Sequence, residues 1–152
     1  MKRVIIAFLV LLIATSIGCG SQPIIPGDSV ISPPDPALPL ELKAMSGKWS
    51  GTWVTDDETG QIYGRDAIMI IERVGLESIQ VLYAWGGSRG SSTKAEAGDT
   101  RKRVRFTQDG EKVIFILGNK VFTFFPSKNI IEGVERNPGV TWNATVTMKR
   151  IQ

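Results

Sequence analysis

Gly47-Lys48-Trp49-Ser50-Gly51-Thr52-Trp53 sets large apolar and small residues against polar ones with a period of two. Trp49, Gly51 and Trp53 fall on one side, and Lys48, Ser50 and Thr52 on the other. An extended chain turns successive side chains to opposite faces, so the pattern predicts a strand with one buried and one wet face. The alternation recurs further along. Ile79, Val81, Tyr83 and Trp85 alternate with Gln80, Leu82 and Ala84, and Val104 and Phe106 with Arg103, Arg105 and Thr107. Trp142, Ala144, Val146 and Met148 alternate with Asn143, Thr145 and Thr147. With the runs 67–74, 112–118, 120–125 and 129–135, the chain reads as about eight strands.

Turn chemistry separates these runs. Asp109-Gly110 and Gly118-Asn119 suit tight hairpins that require a positive φ, and Pro126-Ser127-Lys128-Asn129 and Asn137-Pro138-Gly139 mark further reversals. Short, regular spacing with no helical period between strands implies sequential antiparallel pairing. One apolar face on every strand is best satisfied by closure, which also removes exposed edges. The expected fold is all-β, a single antiparallel up-and-down barrel over residues 46–152, with a β-sandwich as the alternative.

Gly47-Lys48-Trp49 at the head of such a meander resembles the calycin group, the lipocalins and their small-barrel relatives. Tyr83-Ala84-Trp85-Gly86 and the ending Ala144-Thr145-Val146-Thr147-Met148-Lys149-Arg150 resemble lipocalin-like domains of bacterial exported proteins. The resemblance implies that a first-strand tryptophan, Trp49 or Trp53, closes one end of the barrel against a basic residue of the last strand, Lys149 or Arg150. It also implies a non-catalytic role in binding a small apolar or amphipathic molecule.

The N-terminus gives an address. Met1-Lys2-Arg3 is basic, Val4 to Ile17 carries no charge, and Gly18 precedes Cys19, the single cysteine. This is the pattern of an export signal. It falls short of the roughly 20 helical residues that a ~30 Å hydrocarbon core requires. Ser16-Ile17-Gly18-Cys19 resembles the lipobox of bacterial lipoproteins, although Ser16 stands where that family usually has an apolar residue. The resemblance implies removal of residues 1–18, diacylglyceryl and often palmitate attachment at Cys19, and residence in the cell envelope. By the same resemblance, Gly20 after the cysteine implies the outer membrane, facing the periplasm, in a cell with two membranes. Residues 19–45 hold six of the eight prolines. Their fixed φ and missing N–H donors predict an extended spacer between anchor and barrel, with a short helical turn over 38–45.

Composition narrows the chemistry. The chain has no histidine, and its one thiol is assigned to lipid, so imidazole bases, Ser-His and Cys-His pairs and the usual zinc sets are absent. No enzyme activity, metal or cofactor is expected. Asp56-Asp57-Glu58 matches no calcium loop and reads as a solvated turn. Loss of Lys2 and Arg3 brings the 18 basic residues close to the 15 acidic ones, which argues against a nucleic-acid surface. Arg101, Arg103 and Arg105 read as a charged outer strand face. The polar stretch 87–100 is long for a loop and follows Tyr83 and Trp85. Tyr83, Trp85, Trp53 and Arg89 are therefore the candidate ligand-contacting residues. The expected partners are a membrane through Cys19 and either a small apolar ligand or, in the alternative reading, an envelope protein.

Overall fold

A computed structural model describes residues 21–56, 62–88, 96–136 and 143–152. The barrel is built from β1 (Gly47–Asp56), β2 (Ile62–Val74), β3 (Ser78–Trp85), β4 (Gly98–Asp109), β5 (Lys112–Leu117), β6 (Lys120–Phe125), β7 (Ile130–Arg136) and β8 (Asn143–Ile151). Each strand pairs antiparallel with the next, and β8 returns to β1, so the sheet closes. A six-residue helix, α1 (Leu40–Met45), precedes β1. Gly110 and Gly118, at φ +60° and +66°, supply the left-handed backbone of the β4–β5 and β5–β6 turns.

Alternation sets the interior. Trp49, Trp53, Met69, Ile71, Ile79, Val81, Tyr83, Phe115, Phe122, Phe124, Val146 and Met148 all belong to one buried cluster. Its aromatic rings interlock. Phe115 stacks on Phe122 with centroids 5.4 Å apart, and Trp49 meets Phe124 edge-on at 5.5 Å. Gly133 pairs with Phe122 across β6 and β7, where a Cβ would lie 2.8 Å from the ring. The glycine makes room for the phenyl group.

The two ends of the barrel differ. The helix end carries α1 and the short turns 75–77, 110–111 and 126–129; the loop end carries the connections 57–61, 86–97, 118–119 and 137–142. A six-residue helix is unstable alone. α1 persists because Leu42 and Met45 are buried beneath it, each contributing about 1.5–3 kcal/mol. At the loop end the wall is incomplete. β4 pairs with β5 only over Phe106–Asp109, so Gly98 to Arg105 of β4 rises without a β5 partner.

The proline-rich segment departs from the spacer expected over 19–45. Residues 21–38 form a strap down the outside of β2, β3 and β4. Gly87 N–H donates to Ser21 O at 3.1 Å and lies 2.8 Å from Ser21 Oγ. Gln22 Nε2 donates to Asp66, and Ser32 N–H donates to the Glu72 carbonyl at 2.7 Å. Glu72 sits where the β2–β3 register slips between Ile71 and Arg73, which turns its backbone toward the strap. The physical reason for the departure lies on the barrel. Ile70, Leu82 and Ala84 point away from the interior yet are buried, so the outer wall offers apolar surface that an extended chain covers. Gly86 permits the closest approach, because a Cβ there would collide with the Ser21 carbonyl.

The stretch read as a loop over 87–100 is shorter at its C-terminal side. Gly98, Asp99 and Thr100 belong to β4 and pair with Trp85, Ala84 and Tyr83.

Candidate functional site

The helix end is closed by Trp49 and Arg150. The indole is fully buried and its Nε1–H donates to the Met45 carbonyl at 3.0 Å. The Arg150 guanidinium lies 4.3 Å from the Trp49 ring centroid, a cation–π distance. It also donates to the carbonyls of Ser46, at 2.6 Å, and Ala44. One side chain thus fastens the last strand to the first and satisfies carbonyls at the end of α1. Partial burial holds its pKa below the usual guanidinium value. Lys149 lies on the opposite parity, exposed, opposite Ile130.

Toward the loop end, Trp53, Tyr83 and Trp85 gather. Trp53 Nε1–H donates to Tyr83 Oη at 2.5 Å, both rings almost wholly buried. Tyr83 lies 5.7 Å from Trp85 and 5.8 Å from Phe122, and Trp53 meets Phe122 edge-on at 5.9 Å. Burial pushes the Tyr83 phenol well above its ordinary pKa, so it stays neutral and acts as a hydrogen-bonding rather than a charged group. Trp85 is half-buried. Its Nε1–H donates to the Glu96 carbonyl at 3.2 Å, and its six-membered ring lies over Gly98. Arg89 and Cys19 lie outside the described residues, as does all of Asp56-Asp57-Glu58 beyond the backbone of Asp56.

An inward-facing ion pair shares this end. Lys120 Nζ lies 3.1 Å from Glu135 Oε1 and 5.9 Å from the Trp53 centroid, and the two side chains are about 20% exposed. Asn119 bridges them, donating through Nδ2 to Glu135 at 3.0 Å and accepting from Lys120 at 3.1 Å. Sequence reasoning missed this pair. Parity was the available signal: Phe122 and Phe124 facing inward put Lys120 inward, and Ile131 and Gly133 do the same for Glu135. Small residues complete the ring, with Ala144 facing Thr55 and Gly98 facing Trp85.

On the outer wall, Arg101 is held by two carboxylates. It lies 2.8 Å from Asp28 Oδ2 of the strap and 3.1 Å from Glu72 Oε2. Arg103 Nε donates to Ser78 Oγ at 2.9 Å. A groove of about 560 Å³ runs between strap and wall here, lined by Asp28, Val30, Ser32, Glu72, Arg73 and Arg101 among others. The Arg101 charge is already matched by two carboxylates from within the chain. Among the described residues no three acidic or cysteine side chains gather as a metal site would require.

The arrangement offers a floor of aromatic rings, a neutral phenol, an indole at the rim and one ion pair. Trp53, Tyr83 and Phe122 are at most 4% exposed, so Trp85, Lys120 and Glu135 are the parts of this arrangement most open to solvent. No protein-family model, curated protein or solved structure matches the chain.

Proposed function

We propose that the chain is a lipid-anchored envelope protein, attached through Cys19, whose barrel binds a small apolar or amphipathic molecule at its loop end without chemical conversion. The observation that carries the binding reading is the graded interior. Stacked phenylalanines and the Trp49–Arg150 closure fill the helix half, whereas Trp53, Tyr83 and Trp85 face a ring of small and charged residues. A ligand would sit in a shallow cup above Phe122 rather than in a deep cavity. The unpaired upper part of β4 gives it a way in from the side. The basic start, short apolar run and Gly18-Cys19 support the anchor, and Gly20 after the cysteine supports the outer membrane in a two-membrane cell.

Titration of the mature chain with a fatty-acid series, read by tryptophan emission, tests the binding reading. Saturable quenching that is lost in Trp85→Ala is the expected result. No saturable change across the series would overturn it and leave the second reading, an envelope structural or protein-interaction module with no small ligand. That reading is favoured by the density of the aromatic core. Intact mass of the membrane-extracted protein tests the anchor: an acylated chain beginning at Cys19 is expected, and a bare thiol or a chain beginning at Met1 would overturn it.

A further inference from the structure

Two observations, one on each side of the barrel, point to the same end. The first is where the strap starts. Ser21 is bonded to Gly87, just past the loop-end terminus of β3, and its carbonyl sits where Gly86 lacks a Cβ. Cys19 is two residues upstream, hence within about 7 Å of Ser21 at full extension. The helix end lies the length of β3 away, eight residues at roughly 3.3 Å each.

The second observation is a row of outward-facing apolar side chains near the loop end of the opposite wall. Ile116 of β5 pairs with Val121 of β6, Val121 with Val134 of β7, Val134 with Thr145 of β8, and Thr145 with Val54 of β1. Ile116 is 59% exposed, Val54 41% and Val134 36%. One register row thus carries Ile, Val, Val, Thr and Val around half of the circumference, and no described segment of the chain lies over its three exposed aliphatic members. The matching row nearer the helix end, Lys112, Phe125, Ile130 and Lys149, is broken by two lysines, and cations from Lys112 and Lys128 lie over Phe125. Single exposed apolar residues are ordinary on a protein surface; a contiguous row is the mark of an interaction face.

We infer that the loop end is the face this protein lays against a lipid bilayer, with the attachment point held at β3 and the Ile116–Val121–Val134–Val54 row seated in the headgroup boundary on the opposite side. The occupant is the lipid surface because the strap begins at that same rim, with Ser21 two residues after the proposed attachment point. A free spacer between Cys19 and β1 would leave the barrel free to tumble. The strap removes that freedom by passing the chain down the wall before it enters β1. The inference rests on the Cys19 attachment proposed above, and it adds that a ligand reaches the Trp53–Tyr83–Trp85 cup from the membrane without crossing water.

The test separates the two claims. The chain from Cys19 to Gln152 is coupled through its thiol to a maleimide phospholipid in phosphatidylethanolamine–phosphatidylglycerol vesicles. Its amide exchange is compared with that of the same chain with a capped thiol and no vesicles. Exchange slowed roughly threefold or more at residues 116–122, with none at 108–112 or 126–130, is the expected result. Equal slowing at both ends, slowing at the helix end, or none would overturn the inference. Ile116→Lys with Val134→Lys changes two exposed positions, and it should abolish the loop-end protection while leaving the thermal midpoint near that of the parent. Protection unchanged by the two lysines would overturn the role of the row. Because attachment is chemical here, a native product found unacylated at Cys19 would sink the anchor reading alone.

Discussion

The helix half and the loop half of the barrel are made from the same strands, yet they spend their side chains differently. In the helix half most inward positions carry apolar bulk, Gly51 makes room beside Val146 and Met148, and Trp49 closes the end under a guanidinium. In the loop half the inward ring includes Lys120, Glu135, Thr55, Ala144 and Gly98 above the Trp53–Tyr83 pair. Burial of large apolar groups supplies stability in proportion to area, so the helix half holds most of it. Polar and small residues in the other half give little packing energy. A barrel of eight strands is just wide enough for side chains to fill it, so a site exists only where the sequence withholds bulk.

The contrast is broken most directly at Phe122, whose ring touches Trp53, Tyr83 and Phe115. Phe122→Ala should cost about 3–5 kcal/mol in urea unfolding, because the rings around it are locked in mutual contact and cannot collapse into the space. A loss below ~1 kcal/mol would mean the interior is loosely filled and the division between halves is wrong. Arg150→Ala comes next. It removes the cation over Trp49 and strands two carbonyl acceptors at the end of α1, for an expected loss of about 1–3 kcal/mol, partly restored by Arg150→Lys. At the loop end, Glu135→Gln should change stability by less than about 1 kcal/mol, since the pair with Lys120 is partly solvated. The same substitution should alter amphiphile affinity, and no change in either quantity would remove the ion pair from the site.

Much of this was legible because strand parity is local. Tyr83 and Trp85 facing inward follows from a two-residue period, and so does the inward set on β8. The positive-φ hairpins are written in Asp109-Gly110 and Gly118-Asn119. The start of β4 was not legible: Gly98-Asp99 has poor strand propensity, yet it pairs with Trp85 and Ala84, and the Trp85 indole leaves no room for a Cβ at position 98. The strap was half legible. Ala67-Ile68-Met69-Ile70-Ile71 and Val81-Leu82-Tyr83-Ala84-Trp85 are apolar on both faces, which means that something covers the outside of β2 and β3. What covers it has no periodicity of its own. A proline-rich segment reads the same whether it is free or lies along a sheet, and the difference rests on contacts such as Asp28–Arg101, 73 residues apart.

That contact supplies the mildest prediction and the sharpest test of whether strap and barrel act as one unit. Arg101 holds the Asp28 carboxyl below the usual carboxylate range, chiefly through the hydrogen bond to it. A carboxylate whose pKa is depressed by folding contributes its full share above the unfolded value, near 3.8, and loses it as pH falls through the lower folded value. The strap should therefore loosen below about pH 4 while the barrel, whose interior ring contacts do not titrate there, stays folded. Backbone resonances of Ser32 and Gly87 should shift in that window, and those of Val81 and Phe115 should not. Asp28→Asn should give the low-pH positions of Ser32 and Gly87 at neutral pH and flatten their titration. If the strap and barrel resonances instead move together, or if Asp28→Asn leaves the titration intact, the Asp28–Arg101 contact is not what holds the strap. In that case the Ser32–Glu72 and Ser21–Gly87 backbone bonds, which carry no titratable group, would hold it alone.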